Sequence, residues 1–397
     1  MKEFDKKVSM PTQQGMALLT ILLLVVAITI IAGSMLASQK VMLRQYELTK
    51  NQGQMYEYAL AGEAIAIELI DKDSQINQTD SVQDAWAKPI PSHPVTGGAV
   101  QVQIRDQASL FNINNLYHDG KVDKQALAFF QALLQSHDIE PNVAFAVLDW
   151  QDPDSDPTPE GGAEADYYQS TGKPMPIAIA NQPFLAVDEL VYVRGMDKQK
   201  LAKIKPLLTA LPFFVPMNVN TVQPSLLSIL PMVSPAKENA NNSNNAHTDN
   251  NGNSQNGSNA NPNGTPNANN AQNNNSNNNS NNHAPNSMLD MSQLASWASK
   301  RSTAMPVQSL DEFWQQPVFA SISGQQQAVN GLLAVDSRVF ESVVAVKVDD
   351  KSRYLVSQIA KIPASNANNG LNNPTNSVTH NGQVQAFNRR FLAVRPE

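Results

Sequence analysis

The chain predicts an α+β fold in which a long N-terminal helix precedes an antiparallel sheet, with a large α-helical block inserted between the sheet's strands. Three observations predict it. The run "MALLTILLLVVAITIIAGSML" from Met16 to Leu36 is uncharged and apolar throughout. The segment Gly98 to Arg105, "GAVQVQIR", alternates apolar and polar residues as a half-buried strand does. Strand patterning returns in "GLLAVDSRVFESVVAVKVDD", "SRYLVSQIAKI" and "QVQAFNRRFLAVRP" near the end of the chain, so helical patterning separates two sets of strands.

The apolar run from Met16 to Leu36 is about 31 Å long as a helix, enough to cross a bilayer core. Lys2, Lys6 and Lys7 outnumber Glu3 and Asp5 ahead of it, a bias that holds the amino end on the cytoplasmic side and exports the rest. Two cleavage readings follow. Ala32-Gly33-Ser34 offers a small-x-small site that would discard the run as a signal peptide. Gly15-Met16 offers a cut where a polar leader meets the apolar run, which would keep the helix on the mature chain. Beyond Leu36 an apolar period continues through Val41, Leu43, Tyr46, Leu48, Tyr56, Leu60, Ala64, Ile67 and Ile70, read as one helix leaving the membrane or as a span followed by a separate surface helix. Gly53 and Gly62 weaken it by about 1 kcal/mol each relative to alanine.

Pro89, Pro91 and Pro94 mark a turn-rich entry to the first strand, and a helix is expected from about Lys124 to Leu134. Between Glu238 and Ser287 the chain is nearly all Asn, Ser, Gly, Pro and Ala, a composition unable to bury a core and read as disordered. A shorter Asn-rich stretch, Ala364 to Asn381, reads as a loop between two terminal strands.

At 397 residues there is room for more than one domain. The absence of cysteine removes disulfides, thiolate metal sites and cysteine nucleophiles. A net charge of -7 argues against a nucleic-acid partner. His93, His118, His137, His247, His283 and His380 are scattered, and no nucleophile, base and orienting group assemble into a catalytic set.

The chemically richest stretch is "LDWQDPDSDPTPEGGAEADYY", with Asp149, Asp152, Asp154, Asp156, Glu160, Glu164 and Asp166 and neither Lys nor Arg. Such repulsion is relieved by solvent or by a cation. All-oxygen donors on a Pro/Gly-rich loop favour calcium over magnesium. Asp152-x-Asp154-x-Asp156 copies the start of an EF-hand, but Pro157 stands at the sixth position and Ala163 at the twelfth, so a standard EF-hand is not expected. A calcium loop and a solvated acidic loop both fit the residues. A glycosidase pair or aspartic dyad fits poorly, because an open loop does not separate two pKa values.

"DELVYVRGMDKQKLAKIKPLL" reads as helix, glycine turn, helix, and "NVNTVQPSLLSIL" starts a further helix at an Asn220/Thr221 cap. Lys198, Lys200, Lys203 and Lys205 would suit phosphate, but the acidic chain favours a packing module.

Taken in order, "QQGMALLTILLLVVAI", "LFNINNL", "VLDWQDPDSD" with "GAEADYY", "DELVYVRGM" and "MNVNTVQPSLLSIL" resemble the type II secretion system minor pseudopilin K family, also called general secretion pathway protein K. The resemblance implies a type IV pilin-like fold carrying a large inserted helical domain of helix-hairpin-helix or SAM-like kind. Its expected divisions are a prepilin leader (1–15), the membrane half of the helix (16–36), a periplasmic helix with the first part of the sheet (37–106), the inserted domain (107–330, with 238–287 disordered) and the terminal strands (331–397). It further implies cleavage by prepilin peptidase between Gly15 and Met16, N-methylation of Met16, and an inner-membrane anchor with the bulk in the periplasm. Pilins usually carry glutamate at the fifth mature position; Thr20 stands there, members of this family likewise lack the glutamate, and its loss suits a subunit with nothing above it. The expected role is structural, not enzymatic: a tip subunit with minor pseudopilins I, J and H, initiating or capping a filament that moves exoproteins, with no nucleic acid bound. Calcium on the acidic loop is also implied. The competing readings are a calcium-dependent secreted or anchored enzyme and a nucleic-acid receptor of an uptake pilus.

Overall fold

The structure, a computed structural model, describes residues 14–170, 178–233, 288–362 and 383–396. The leader to residue 13 and the Asn-rich stretches Glu238–Ser287 and Ala364–Asn381 lie outside the described residues. Helix α1 (Gln14–Ile76) is continuous over 63 residues, about 95 Å of helix, so the reading as two separate helices does not hold. Its apolar side chains from Met16 to Leu48 are exposed. From Met55 onward the helix buries Met55, Ala59, Glu63, Ala66 and Ile70 at steps of three and four residues, one face.

This face differs from the one the apolar period marks. Tyr56 and Ala64 are exposed, and Leu60 and Ile67 are half-buried flanks. Small residues take the centre because the helix lies close on a sheet. A Cβ on Gly62 would stand 2.4 Å from Val344 Cγ1 and 3.0 Å from Val100 Cγ1. Gly62 therefore sets the approach of helix to sheet, where its sequence alone suggested only a weak point.

The sheet comprises β1 (His93–Val95), β2 (Gly98–Asp106), β3 (Val339–Val348), β4 (Lys351–Ile362) and β5 (Gln383–Leu392), in that spatial order and antiparallel throughout. Val102 stands opposite Val344, Val344 opposite Leu355, and Leu355 opposite Phe391. Alternate residues Val100, Val102 and Ile104 line the face that packs with α1 and Trp86, and the polar residues between them turn away. The strand expected across 331–350 starts only at Val339; Leu333–Ala334 instead forms a short parallel bridge with Met217–Asn218.

Between Asp106 and Val339 the chain leaves the sheet and builds a second, helical core. Helices α2 (Lys124–Ser136), α3 (Val143–Asp149), α4 (Ala165–Ser170), α5 (Lys198–Ile204), α6 (Pro224–Ser228), α7 (Met291–Lys300) and α8 (Leu310–Trp314) surround Phe111, Phe129, Phe130, Trp150 and Phe313. Asp123 caps α2 by accepting from Gln125 N and Ala126 N.

Two helices differ from what the sequence predicts. The first arm of the hairpin, Val187–Tyr192, is a 3₁₀ turn, and only the second arm, α5, is α-helical, capped by Asp197. Helix α6 begins at Pro224 rather than at Asn220/Thr221, because proline fixes the first turn and Asn220 is committed elsewhere: its amide donates to Val307 O and accepts from Val307 N.

Candidate functional site

The acidic loop runs from the end of α3 to the start of α4. Asp149, the last residue of α3, is fully buried, and its carboxylate accepts from Thr158 N at 3.0 Å and from the Thr158 hydroxyl. Gly162 closes this clamp: a Cβ there would lie 2.2 Å from Asp149 Oδ2 and 2.4 Å from Thr158 N. The loop is thus folded back over Asp149. Arg194, from the segment after the 3₁₀ turn, fixes the returning end of the loop by donating from Nη1 to Gly162 O at 3.0 Å, while its N–H donates to the Tyr168 hydroxyl. Nothing in the spacing of the carboxylates pointed to Thr158 or Arg194; the paired glycines were the available signal.

This folding sorts the carboxylates. Asp152, Asp154 and Glu164 each bring an oxygen within 4.8 Å of the other two. Asp152 and Glu164 are buried, and Asp152 Oδ1 and both Glu164 oxygens have no hydrogen-bond partner. Burial, then the neighbouring Asp154 and Asp149, push Asp152 up to about 6. Burial, then Asp149, Asp152 and Asp154, push Glu164 up to about 7. Asp156, Glu160 and Asp166 are exposed and stand outside the trio; Asp156 N instead donates to Asp154 Oδ1 at 2.9 Å. Asn181 steadies the other side by donating to Asp154 O at 2.8 Å.

Three of the four hairpin lysines are turned to protein groups, as a packing module requires. Lys200 donates to Gly195 O at 2.6 Å, Lys203 to His137 O at 3.0 Å, and Lys205 pairs with Asp188 at 2.7 Å. The "LFNINNL" asparagines act the same way: Asn112 donates to Phe213 O, Asn114 to Phe184 O and Leu211 O, and Asn115 to Val215 O.

At the other end of the molecule, Gly15 and Met16 lie in the first turn of α1, and the Thr20 hydroxyl donates to Ala17 O at 2.9 Å. The fifth position of a chain cut at Gly15 is thus neutral and satisfied within its own helix. The helix is long and apolar enough to cross a membrane.

A half-exposed helix of this length, laid by its other half across an antiparallel sheet, defines a pilin-like subunit held in a membrane by a single span. Residues 109–213 match the family model described as "Type II secretion system (T2SS), protein K". The type II secretion system protein K of Aeromonas hydrophila is 32% identical over 233 residues, covering 55% of this chain and 70% of the relative. That of Klebsiella pneumoniae is 30% identical over 237 residues, covering 57% and 71%. A chain of the GspK–GspI–GspJ complex from the enterotoxigenic Escherichia coli type 2 secretion system matches in fold, with a TM-score of 0.58 and 19% identity over 80% of this chain and 94% of that one. The chain belongs to the type II secretion system protein K family. It is a minor pseudopilin, a structural part of the secretion apparatus and not an enzyme.

Proposed function

We propose that this subunit sits at the tip of the periplasmic pseudopilus, in complex with minor pseudopilins I and J and with H, and that it starts or caps the filament during export of folded exoproteins. One observation supports the reading above the others: the apolar side chains of α1 from Met16 to Leu48 are exposed, whereas its later half is buried in its own sheet. An apolar surface of that extent needs lipid or neighbouring helices to cover it. The neutral, internally bonded Thr20 asks for no charged partner from a subunit above. The helical domain between Asp106 and Val339 supplies the bulk that would block further addition. In this reading prepilin peptidase cuts between Gly15 and Met16, Met16 is N-methylated, and the bulk of the chain faces the periplasm from the inner membrane.

The acidic loop fits a calcium ion. Orphaned, buried oxygens on Asp152 and Glu164 beside Asp154 form an all-oxygen set suited to a hard, irregularly coordinated cation. Those three residues would hold it. Asp149, clamped by Thr158, shapes the loop, and Asp156, Glu160 and Asp166 remain at its exposed rim. The ion would supply charge balance and rigidity.

The test is the intact mass of the protein extracted from its native membranes, together with the identity of the proteins that travel with it. A chain beginning at Met16 and heavier by a methyl group, accompanied by small pilin-like membrane proteins, is the expected result. A chain beginning near Met35, or one still carrying Met1 to Gly15, overturns the reading. For the loop, a melting temperature unmoved by about 1 mM calcium would remove the ion.

A further inference from the structure

A second group of carboxylates lies where α1 ends. Asp73 is in the last turn of the helix, and Asp80 and Asp84 are in the turn that follows; one oxygen of each lies within 4.8 Å of the other two. None of them belongs to the acidic loop. Asp73 is 6% exposed and Asp80 2%, while Asp84 is half-buried and opens the group to solvent.

The hydrogen bonds around the group are incomplete in one place. Asp80 accepts from Ser337 N at 2.7 Å and pairs with the buried Lys361 Nζ. Both oxygens of Asp84 accept from Ser81, one from its N–H and one from its hydroxyl. Asp73 Oδ1 accepts from Asn77 at 2.9 Å, but Asp73 Oδ2 is buried without any partner. Three carboxylates converge on Lys361 in a site mostly closed to water, and the unpartnered Asp73 Oδ2 faces the other two. A buried anion without a partner is strongly unfavourable. Either a proton or a cation must complete the site.

We propose that Asp73, Asp80 and Asp84 bind a divalent hard cation of the calcium class, distinct from any ion on the acidic loop. The donor set is all oxygen, with no imidazole or thiol, as such ions require. The place is also mechanically apt. Asp80 O accepts from Asn218 Nδ2 at 2.9 Å, tying the site to the helical domain, and Lys361 ties it to β4. An ion there would fasten the end of the filament helix to both the sheet and the inserted domain.

The experiment uses the full chain in detergent, stripped by chelator and dialysed against calcium as the only divalent ion, with bound metal counted. An Asp152→Asn/Glu164→Gln background removes the loop site, so the two sites are scored separately. At about 1 mM calcium this background is expected to retain one ion per chain and to melt higher than without calcium. Adding Asp73→Asn is expected to abolish both the bound ion and the calcium-dependent rise, as is Asp84→Asn, whose half-exposed position makes misfolding a poor explanation. A background that binds no calcium overturns the proposal and leaves Asp73 as a protonated acid. Retention of the ion by both added variants overturns it equally.

Discussion

Glu63 on α1 and Arg389 on β5 form a two-pronged ion pair, with Nη2 at 2.7 Å from Oε2 and Nε at 3.0 Å from Oε1. The glutamate side chain is 3% exposed and the arginine 45%, so the pair straddles the edge of the core under the helix. It fastens the last strand to the filament helix.

Arg389→Ala leaves the buried Glu63 carboxylate without its cation. Removing one partner of a fully buried pair costs about 3–5 kcal/mol and of an exposed pair less than about 1 kcal/mol, so a loss near 2 kcal/mol is expected here. Glu63→Gln should lose less, because the arginine left behind reaches water. Thermal unfolding of both single variants and the double variant measures the coupling.

The two glycines of the outer helix should respond in opposite directions. Gly53 has open space where a Cβ would go, so Gly53→Ala should stabilise by about 0.5–1 kcal/mol through helix propensity. Gly62→Ala would push against the stiff side chain of Val344 and should destabilise by about 1–3 kcal/mol. If both variants melted higher than the parent, the close packing of α1 on β3 would be wrong.

The sequence was legible where one period dominates. Gly98 to Asp106 alternates because one face of the sheet is covered by α1, and the membrane half of the helix declares itself by length and lack of charge. The buried stripe of the outer half was harder to read, since Ala59, Ala66 and Gly62 contribute little to an apolar pattern, yet close packing selects them. The acidic loop showed its chemistry but not its geometry: seven similar carboxylates are divided by the Asp149–Thr158 clamp and by the Arg194 and Asn181 contacts around it. Asp73, Asp80 and Asp84 form no sequence pattern because they are split between a helix end and a turn, and Lys361 joins them from a distant strand.

Asp106 makes the joint between sheet and inserted domain sensitive to pH. Its carboxylate accepts from Ser337 Oγ, Thr221 Oγ1 and Ala108 N, yet burial, with the nearby Asp80, outweighs these bonds and pushes it up to about 7. A raised carboxyl pKa means that the folded chain holds a proton the unfolded chain has lost. This contribution is fully present below about pH 4 and is lost as the pH rises to about 7, with a slope of at most about 1.4 kcal/mol per unit. Asp106→Asn removes the titration, so the variant should gain stability relative to the parent between pH 4 and 7 and hold a constant difference above it. Paired melting curves across that range read the effect, and a pH-independent difference would refute it.

Asn114 lies within the segment that matches the family model. Its amide donates to Phe184 O and Leu211 O at 2.9 Å each, and its oxygen accepts from Phe184 N at 2.8 Å. One side chain therefore satisfies three backbone groups in the core beneath the acidic loop. Asn114→Ala leaves them without that partner and should cost about 2–4 kcal/mol. Asn114→Asp keeps the size but turns a buried anion toward two carbonyl oxygens, so it should be at least as damaging at neutral pH and recover partly in acid, where the carboxyl can donate one bond. Because Phe184 stacks on Trp150 at 6.1 Å, at the start of the loop, both variants should also weaken any calcium-dependent rise in melting temperature. An alanine variant as stable as the parent would mean that water replaces the amide and that the asparagine is not what fixes this core.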